Sequence, residues 1–220
     1  MAIILPNLHR LEIADPSEWG KPIDRGDFLD RLTASALEEL VGCYGSDSIR
    51  MFVHRSSSAL TRLSLYCCYV DYELARLLRD IPTLTHLLLQ EDFDRRGVPN
   101  FNNNSNHFFE AMKISSDSVN FPTPTCPNLI SLFYGYDANR EDEFAFSEKA
   151  FLDMAVSRHK TLKFIRVFPS TRLYDWPDWP VRPGAKIEPF LESLREMGVD
   201  AAFWDYGKWS KSQAERGLTF

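Results

Sequence analysis

The chain has 220 residues, 44% hydrophobic and 25% charged, which is ordinary for a soluble globular protein with one substantial core. A net charge of −6 and an isoelectric point near 5.4 argue against a general nucleic-acid or anionic-membrane surface. No apolar run approaches the roughly 18 residues of a membrane span, and the opening Met1-Ala2-Ile3-Ile4-Leu5 lacks the basic n-region of a secretory leader.

In chain order, the first element is Leu8-His9-Arg10-Leu11-Glu12-Ile13: an apolar residue, two variable ones, an apolar one, a variable one, an apolar one. Alternation predicts a short strand with Leu11 and Ile13 facing a core and Arg10 and Glu12 facing out. Phe28, Leu29 and Leu32 mark a helix. Leu37-Glu38-Glu39-Leu40-Val41-Gly42 is a degraded copy of the first phrase, with glycine at its last apolar place. Leu60-Thr61-Arg62-Leu63-Ser64-Leu65 and Leu84-Thr85-His86-Leu87-Leu88-Leu89 are the cleanest copies. Between them Asp71 is placed to cap a helix carrying Leu74, Leu77 and Leu78 on one face, ended by Ile81-Pro82. Residues 100–106, with five asparagines, read as a loop tip, and Phe108, Phe109 and Met112 as the apolar face of a helix. Leu129-Ile130-Ser131-Leu132-Phe133-Tyr134 is followed by a helix capped by Ser147, with Phe151, Leu152, Ala155 and Val156 inward. Leu162-Lys163-Phe164-Ile165-Arg166-Val167 is the last copy. Trp176-Pro177-Asp178-Trp179-Pro180 reads as a rigid connector. Pro189 and Gly198 then frame a helix with Phe190, Leu191 and Leu194, residues 199–204 form a closing strand, and residues 208–220 are polar enough to fray.

The copies begin at residues 8, 37, 60, 84, 129 and 162, so their spacings are 29, 23, 24, 45 and 33. Leucine-rich repeats run about 20–29 residues, so three intervals fit and two carry insertions. The 45-residue interval holds no convincing further copy. Strand, turn and helix alternate, which predicts an α/β leucine-rich-repeat solenoid with irregular repeats, a curved parallel sheet on the concave side and helices on the convex side. Residues 1–170 form the array; residues 171–220 form a closing segment packed on the same domain. No N-terminal cap precedes the first phrase, from which Met1 is expected not to be the natural start of the domain.

Cys43, Cys67, Cys68 and Cys126 are spaced for neither a disulfide framework nor a zinc site. A reducing cytoplasm or nucleus is therefore the expected compartment. Cys67-Cys68 follows a strand directly, and at most one of the two can join Leu63 and Leu65 in the core. His107 and Glu110 are three apart on a helix without a third ligand, and Glu91-Asp92-Phe93-Asp94 lacks the closing glutamate of a calcium loop. No metal or cofactor is expected. Nucleophile-elbow and phosphate-loop motifs are absent, so the chain does not read as an enzyme; a hydrolase using His54, His86 or His107 would need a partner group beside one of them.

The segments FLDRLTASALEEL (28–40), FVHRSSSALTRLSLYCC (52–68), LARLLRDIPTLTHLLL (74–89), FFEAMK (108–113), CPNLISL (126–132) and FLDMAVSRHKTLKFIRV (151–167), in this order, resemble the leucine-rich-repeat region of fungal F-box proteins, especially those of mushroom-type fungi. The resemblance implies a horseshoe that recruits substrates to a cullin-based ubiquitin ligase. Docking onto the ligase would run through an F-box, which these residues do not contain. The expected function is protein–protein interaction, as the substrate-recognition part of such an adaptor; a stand-alone leucine-rich scaffold is the alternative. The partner is a protein, and neither nucleic acid nor membrane is expected.

The outward residues of the strands would line the binding face: Arg10 and Glu12, Glu39 and Val41, Arg62 and Ser64, His86 and Leu88, Ser131 and Phe133, Phe164 and Arg166. Aromatic residues and arginine dominate binding hot spots, so Arg62, His86, Leu88, Phe133, Phe164 and Arg166 are the candidate partner-binding residues.

Overall fold

The computed structural model describes residues 2–13, 26–42, 46–68, 70–91, 101–114, 124–136, 148–169 and 187–203. Strands β1 (Ile3–Ile4) and β2 (Arg10–Ile13) are followed by helix α1 (Gly26–Arg31) and strands β3 (Leu32–Thr33) and β4 (Glu39–Gly42). Helix α2 (Ser46–Ser56), β5 (Arg62–Cys68), α3 (Tyr72–Arg79), β6 (His86–Glu91), α4 (Phe101–Met112), β7 (Ser131–Tyr136), α5 (Glu148–Ser157), β8 (Phe164–Pro169), α6 (Glu188–Glu196) and β9 (Asp200–Phe203) complete the order.

Seven strands form one parallel sheet in the order β2-β4-β5-β6-β7-β8-β9, so each strand pairs with its sequence neighbour in the array. β1 and β3 pair as a separate two-stranded parallel sheet. Parallel strands need a crossover between them, and each stretch between array strands supplies it. The 45-residue interval is no exception, because β6 pairs directly with β7 across it. The fold is α/β, with a parallel sheet and helices.

The core follows from the repeat. Leu40, Leu63, Leu87, Leu132, Ile165 and Ala201 stand in one register row, and Leu65, Leu89, Tyr134 and Val167 in the next; all are buried. Helical residues from α1 to α6, including Leu29, Phe52, Leu74, Phe109, Phe151 and Leu191, join these rows in one continuous cluster, so the helices cover one face of the sheet. Each fully buried aliphatic or aromatic side chain contributes about 1.5–3 kcal/mol. Before the strands, a backbone ladder ties each strand's approach to the next: Glu38 N donates to His9 O, Thr61 N to Glu38 O, Thr85 N to Thr61 O, Ile130 N to Thr85 O, Lys163 N to Ile130 O and Asp200 N to Lys163 O, all at 2.8–2.9 Å.

Most expected helix faces are present. Asp71 Oδ1 accepts from Leu74 N at 3.0 Å and caps α3, which buries Leu74, Leu77 and Leu78. Pro189 lies in the first turn of α6, and Gly198 follows its end at φ +83°, a left-handed conformation that glycine adopts without strain. The structure departs from the sequence pattern at four points. Residues 101–106 belong to the first turns of α4 rather than to a loop tip, because Ser105, Phe108, Phe109 and Met112 all reach the core from one helix. Val156 is exposed and Met154 takes the inward place on α5, while Phe28 of α1 is also exposed and Leu32, expected on the same helix, begins strand β3. A register irregularity between Leu65 and Cys68 carries Cys68 into the core, where its Sγ donates to Gln90 O. The repeated phrases do not mark helix α2, although Ile49, Phe52, Val53 and Ser56 bury one face of it. Ser147, residues 171–186 and residues 204–220 lie outside the described residues.

Candidate functional site

The sheet face opposite the helices carries two register rows. The first runs Arg10, Glu39, Arg62, His86, Ser131, Phe164, Asp200, and the second Glu12, Val41, Ser64, Leu88, Phe133, Arg166, Ala202. Pairing at about 4.8 Å per strand brings the six candidate residues, scattered between positions 62 and 166, side by side on one face.

The rows are not equally open. Leu88, Phe133 and Phe168 are only 4, 8 and 5% exposed and pack with Tyr66 into a second apolar cluster, separated from the main core by the sheet. Leu88 and Phe133 therefore face the expected side but lie inside a cluster instead of on open surface. Phe164 is 45% exposed and is the large apolar side chain offered by the first row. The sequence reading missed Phe168 and Tyr66. One more step of strand alternation past Arg166 and Ser64 would have found both.

Charge in the first row is arranged as a ladder. Arg10 reaches Glu12 at 2.6 Å and Glu39 at 3.5 Å, and Glu39 faces Arg62 at 3.9 Å. Glu39 is buried, and its Oε1 makes no hydrogen bond, so the two flanking guanidiniums offset the cost of its desolvation. Arg62 keeps half of its side chain in solvent. Arg166 is held inward instead: Nη1 donates to Asp200 O at 2.5 Å and Nη2 to Asp200 Oδ2 at 2.8 Å.

His86 sits between Arg62 and Ser131 in register. Burial, and then the charge of Arg62, push its pKa below the usual 6.5, so the imidazole is neutral at pH 7. Its Nδ1 lies 2.8 Å from Thr85 Oγ1, whose single hydrogen goes to Thr61 O at 3.0 Å. Nδ1 then carries the ring proton, which leaves Nε2 as the acceptor of a ring whose register neighbour is Arg62.

Comparison with family models, curated proteins and solved structures finds no match to this chain.

The other candidates are placed apart. His54 on α2 and His107 on α4 are exposed residues of the helical layer, whereas His86 is on the sheet. Glu110 pairs with Lys113 at 2.7 Å, not with His107. Glu91 Oε1 accepts from the buried Tyr134 hydroxyl at 2.6 Å, while residues 92–94 lie outside the described residues, as does the side chain of Cys67. Cys126 is buried; desolvation pushes its thiol up to about 12, which leaves it protonated at neutral pH. Among the described residues no group of three or more His, Cys, Asp or Glu is placed to hold a metal ion, and no helix is long and apolar enough to cross a membrane.

Proposed function

We propose that the chain is a leucine-rich-repeat solenoid that binds another polypeptide along the outer face of its seven-stranded sheet. The observation that carries this reading is the in-register run Arg62, His86, Ser131, Phe164. A cation, a neutral acceptor and an exposed aromatic ring lie on three of these four adjacent strands, with the buried Ser131 between the last two, and the run spans about 14 Å at the usual strand spacing. A partner that crosses the strands meets a different chemistry at Arg62, His86 and Phe164, and one aromatic anchor with an arginine beside a polar rim is the usual composition of a binding hot spot. Leu88, Phe133 and Arg166 lie beside this row, two residues further along the same strands. The resemblance to fungal F-box proteins gives the role: recognition of a substrate for ubiquitination, with ligase contact made elsewhere. The reading needs no catalytic step and no cofactor.

Affinity capture with quantitative mass spectrometry tests it. The wild-type chain should retain a defined set of proteins that an Arg62→Ala/Phe164→Ala variant with the same melting temperature loses. Identical recovery by the two would remove the outer row as the binding surface.

A further inference from the structure

The charged groups of the outer face divide into those already matched and those with capacity left. Arg10 donates to Glu12 at 2.6 Å, and Arg166 to Asp200 at 2.8 Å. Arg62 is different. Its nearest carboxylate, Glu39, is 3.9 Å away, too far for a hydrogen bond, and lies closer to Arg10, at 3.5 Å. Among the described residues the Arg62 guanidinium therefore donates no hydrogen bond, although half of its side chain is in solvent. Its planar fork of N–H donors is left for a ligand. A second such cation stands on β8. Lys163, the residue before Phe164, is exposed and forms no ion pair among the described residues. The Lys163 and Phe164 amides both donate to Ile130 O, at 2.8 and 3.1 Å. Ile130 and Phe164 are 37 and 45% exposed, so two open apolar side chains and an unpaired ammonium meet where β7 and β8 begin. Between Arg62 and this point, His86 is neutral at pH 7 and Ser131 is buried. The face thus has positive charge to spare at two places, on a chain of net charge −6, with open apolar surface at one of them.

The complementary ligand is acidic at two places and apolar at one. Three strand steps separate Arg62 from Phe164, about 14 Å, which an extended chain covers in about four residues. A peptide lying across the strands then sets an acidic side chain on Arg62, a large apolar one on Ile130 and Phe164, and a second acid beside it for Lys163. A carboxylate suits Arg62 better than a phosphate. One guanidinium with Glu39 behind it matches a single negative charge. A phosphate, with its charge of nearly −2, calls for a cluster of arginines, and Arg10, two strands away, is already engaged by Glu12 and Glu39.

We propose that the outer row recognises an extended acidic–apolar segment of its partner, with an Asp or Glu seated on Arg62 and, about four residues away, a large apolar side chain on Ile130 and Phe164 beside Lys163. This assignment rests on the reading of the outer face as a polypeptide-binding surface and adds the chemical class of the polypeptide.

Selection of phage-displayed random dodecapeptides on the immobilised full chain tests it. Enriched peptides should pair Asp or Glu with Leu, Ile, Met, Phe or Trp at about this spacing. Selection on Arg62→Gln, which removes the charge without setting a carboxylate against Glu39, should lose the acid and keep the apolar residue. Selection on Phe164→Ala should do the reverse. Lys163→Glu, at an exposed position, should exchange the acid beside the apolar residue for Lys or Arg. In fluorescence polarisation, measured below the unfolding transition of each variant, a synthetic peptide of the enriched pattern should bind Arg62→Gln about tenfold more weakly than the wild type, the size of a lost charge-assisted hydrogen bond. Enriched peptides that lack an acid, yet are lost on the Arg62→Ala/Phe164→Ala double variant, would overturn the acidic class and leave the outer row as the binding surface. Enriched peptides that bind every variant alike would overturn both. A phosphoserine counterpart that binds more than about tenfold tighter than the glutamate peptide would overturn the choice of a carboxylate, and a wild-type chain that enriches no peptide would overturn the proposal outright.

Discussion

Arg166 on β8 holds Asp200 on β9 by both its backbone and its side chain, at 2.5 Å to the carbonyl and 2.8 Å to the carboxylate. The arginine thus ties the last strand to the sheet, while its neighbour Phe164, two residues earlier on the same strand, stands open. Substitutions at these two positions should therefore separate. Arg166→Ala should cost about 1–3 kcal/mol in urea unfolding, because a charged donor leaves a backbone carbonyl and a carboxylate. Asp200→Ala should cost less, about 0–1 kcal/mol, since the carbonyl contact survives and the carboxylate is exposed. Phe164→Ala should leave the unfolding curve in place and weaken partner capture by more than about fivefold, the loss expected of a hot-spot aromatic. Retained capture after Phe164→Ala would show that the open ring is not the anchor.

Core depth varies along the array, and leucine truncation should read it directly. Leu63→Ala removes a side chain that is 1% exposed, between Leu40 and Leu87 in its row, and should cost about 2–5 kcal/mol. Leu11 holds the same place on β2 but is only partly covered, so Leu11→Ala should cost roughly half as much. Chemical denaturation at low protein concentration measures both; equal costs would mean that Leu11 is as well packed as Leu63.

How far the sequence revealed this arrangement depended on period and on environment. The strand rows were legible because a leucine at every second position has one meaning in a half-buried strand, and the same alternation assigned Arg62, His86, Phe164 and Arg166 to one face. Helix α3 was legible through Asp71 and its three leucines. The start of α4 was not, because asparagines favour turns locally and yield to a helix only when Phe108, Phe109 and Met112 are held by the core. The inward displacement of Cys68 depends on a bulge that no local pattern encodes. The burial of Leu88 and Phe133 was also hidden: alternation reports which way a side chain points, not what lies above it. The pairing of Arg166 with Asp200 joins residues 34 apart and needed the register of the last strand.

Arg158, which follows α5, is the largest fully buried side chain, and it has no carboxylate partner among its described contacts. Its guanidinium instead caps carbonyls: Nε donates to Met112 O at 2.5 Å, Nη1 to Cys126 O at 2.8 Å and Nη2 to Thr125 O. Met112 ends α4, so one side chain satisfies a helix terminus and the turn leading towards β7. Burial lowers its pKa to about 10, which still leaves it charged at neutral pH. Arg158→Ala should strand three buried acceptors and cost about 3–5 kcal/mol. Arg158→Lys should recover only part of that, because a single ammonium lacks the planar fork that spans three carbonyls. Thermal and urea unfolding of both variants check this; full recovery by lysine would show that charge alone is needed.

His86 gives the outer row a dependence on pH. Its folded-state pKa is depressed below the usual 6.5, first by burial and second by Arg62. Between the depressed value and 6.5, the unfolded chain binds more protons at this site than the folded chain, so stability rises with pH across that window and falls as the pH drops through it. Replacement by the uncharged His86→Asn should flatten this part of the stability profile. Arg62→Ala should raise the His86 midpoint in an NMR titration but leave it below 6.5, since desolvation, the larger cause, remains. A wild-type midpoint at or above 6.5 would mean that the imidazole is solvated and that Nε2 does not present a neutral acceptor beside Arg62 at physiological pH.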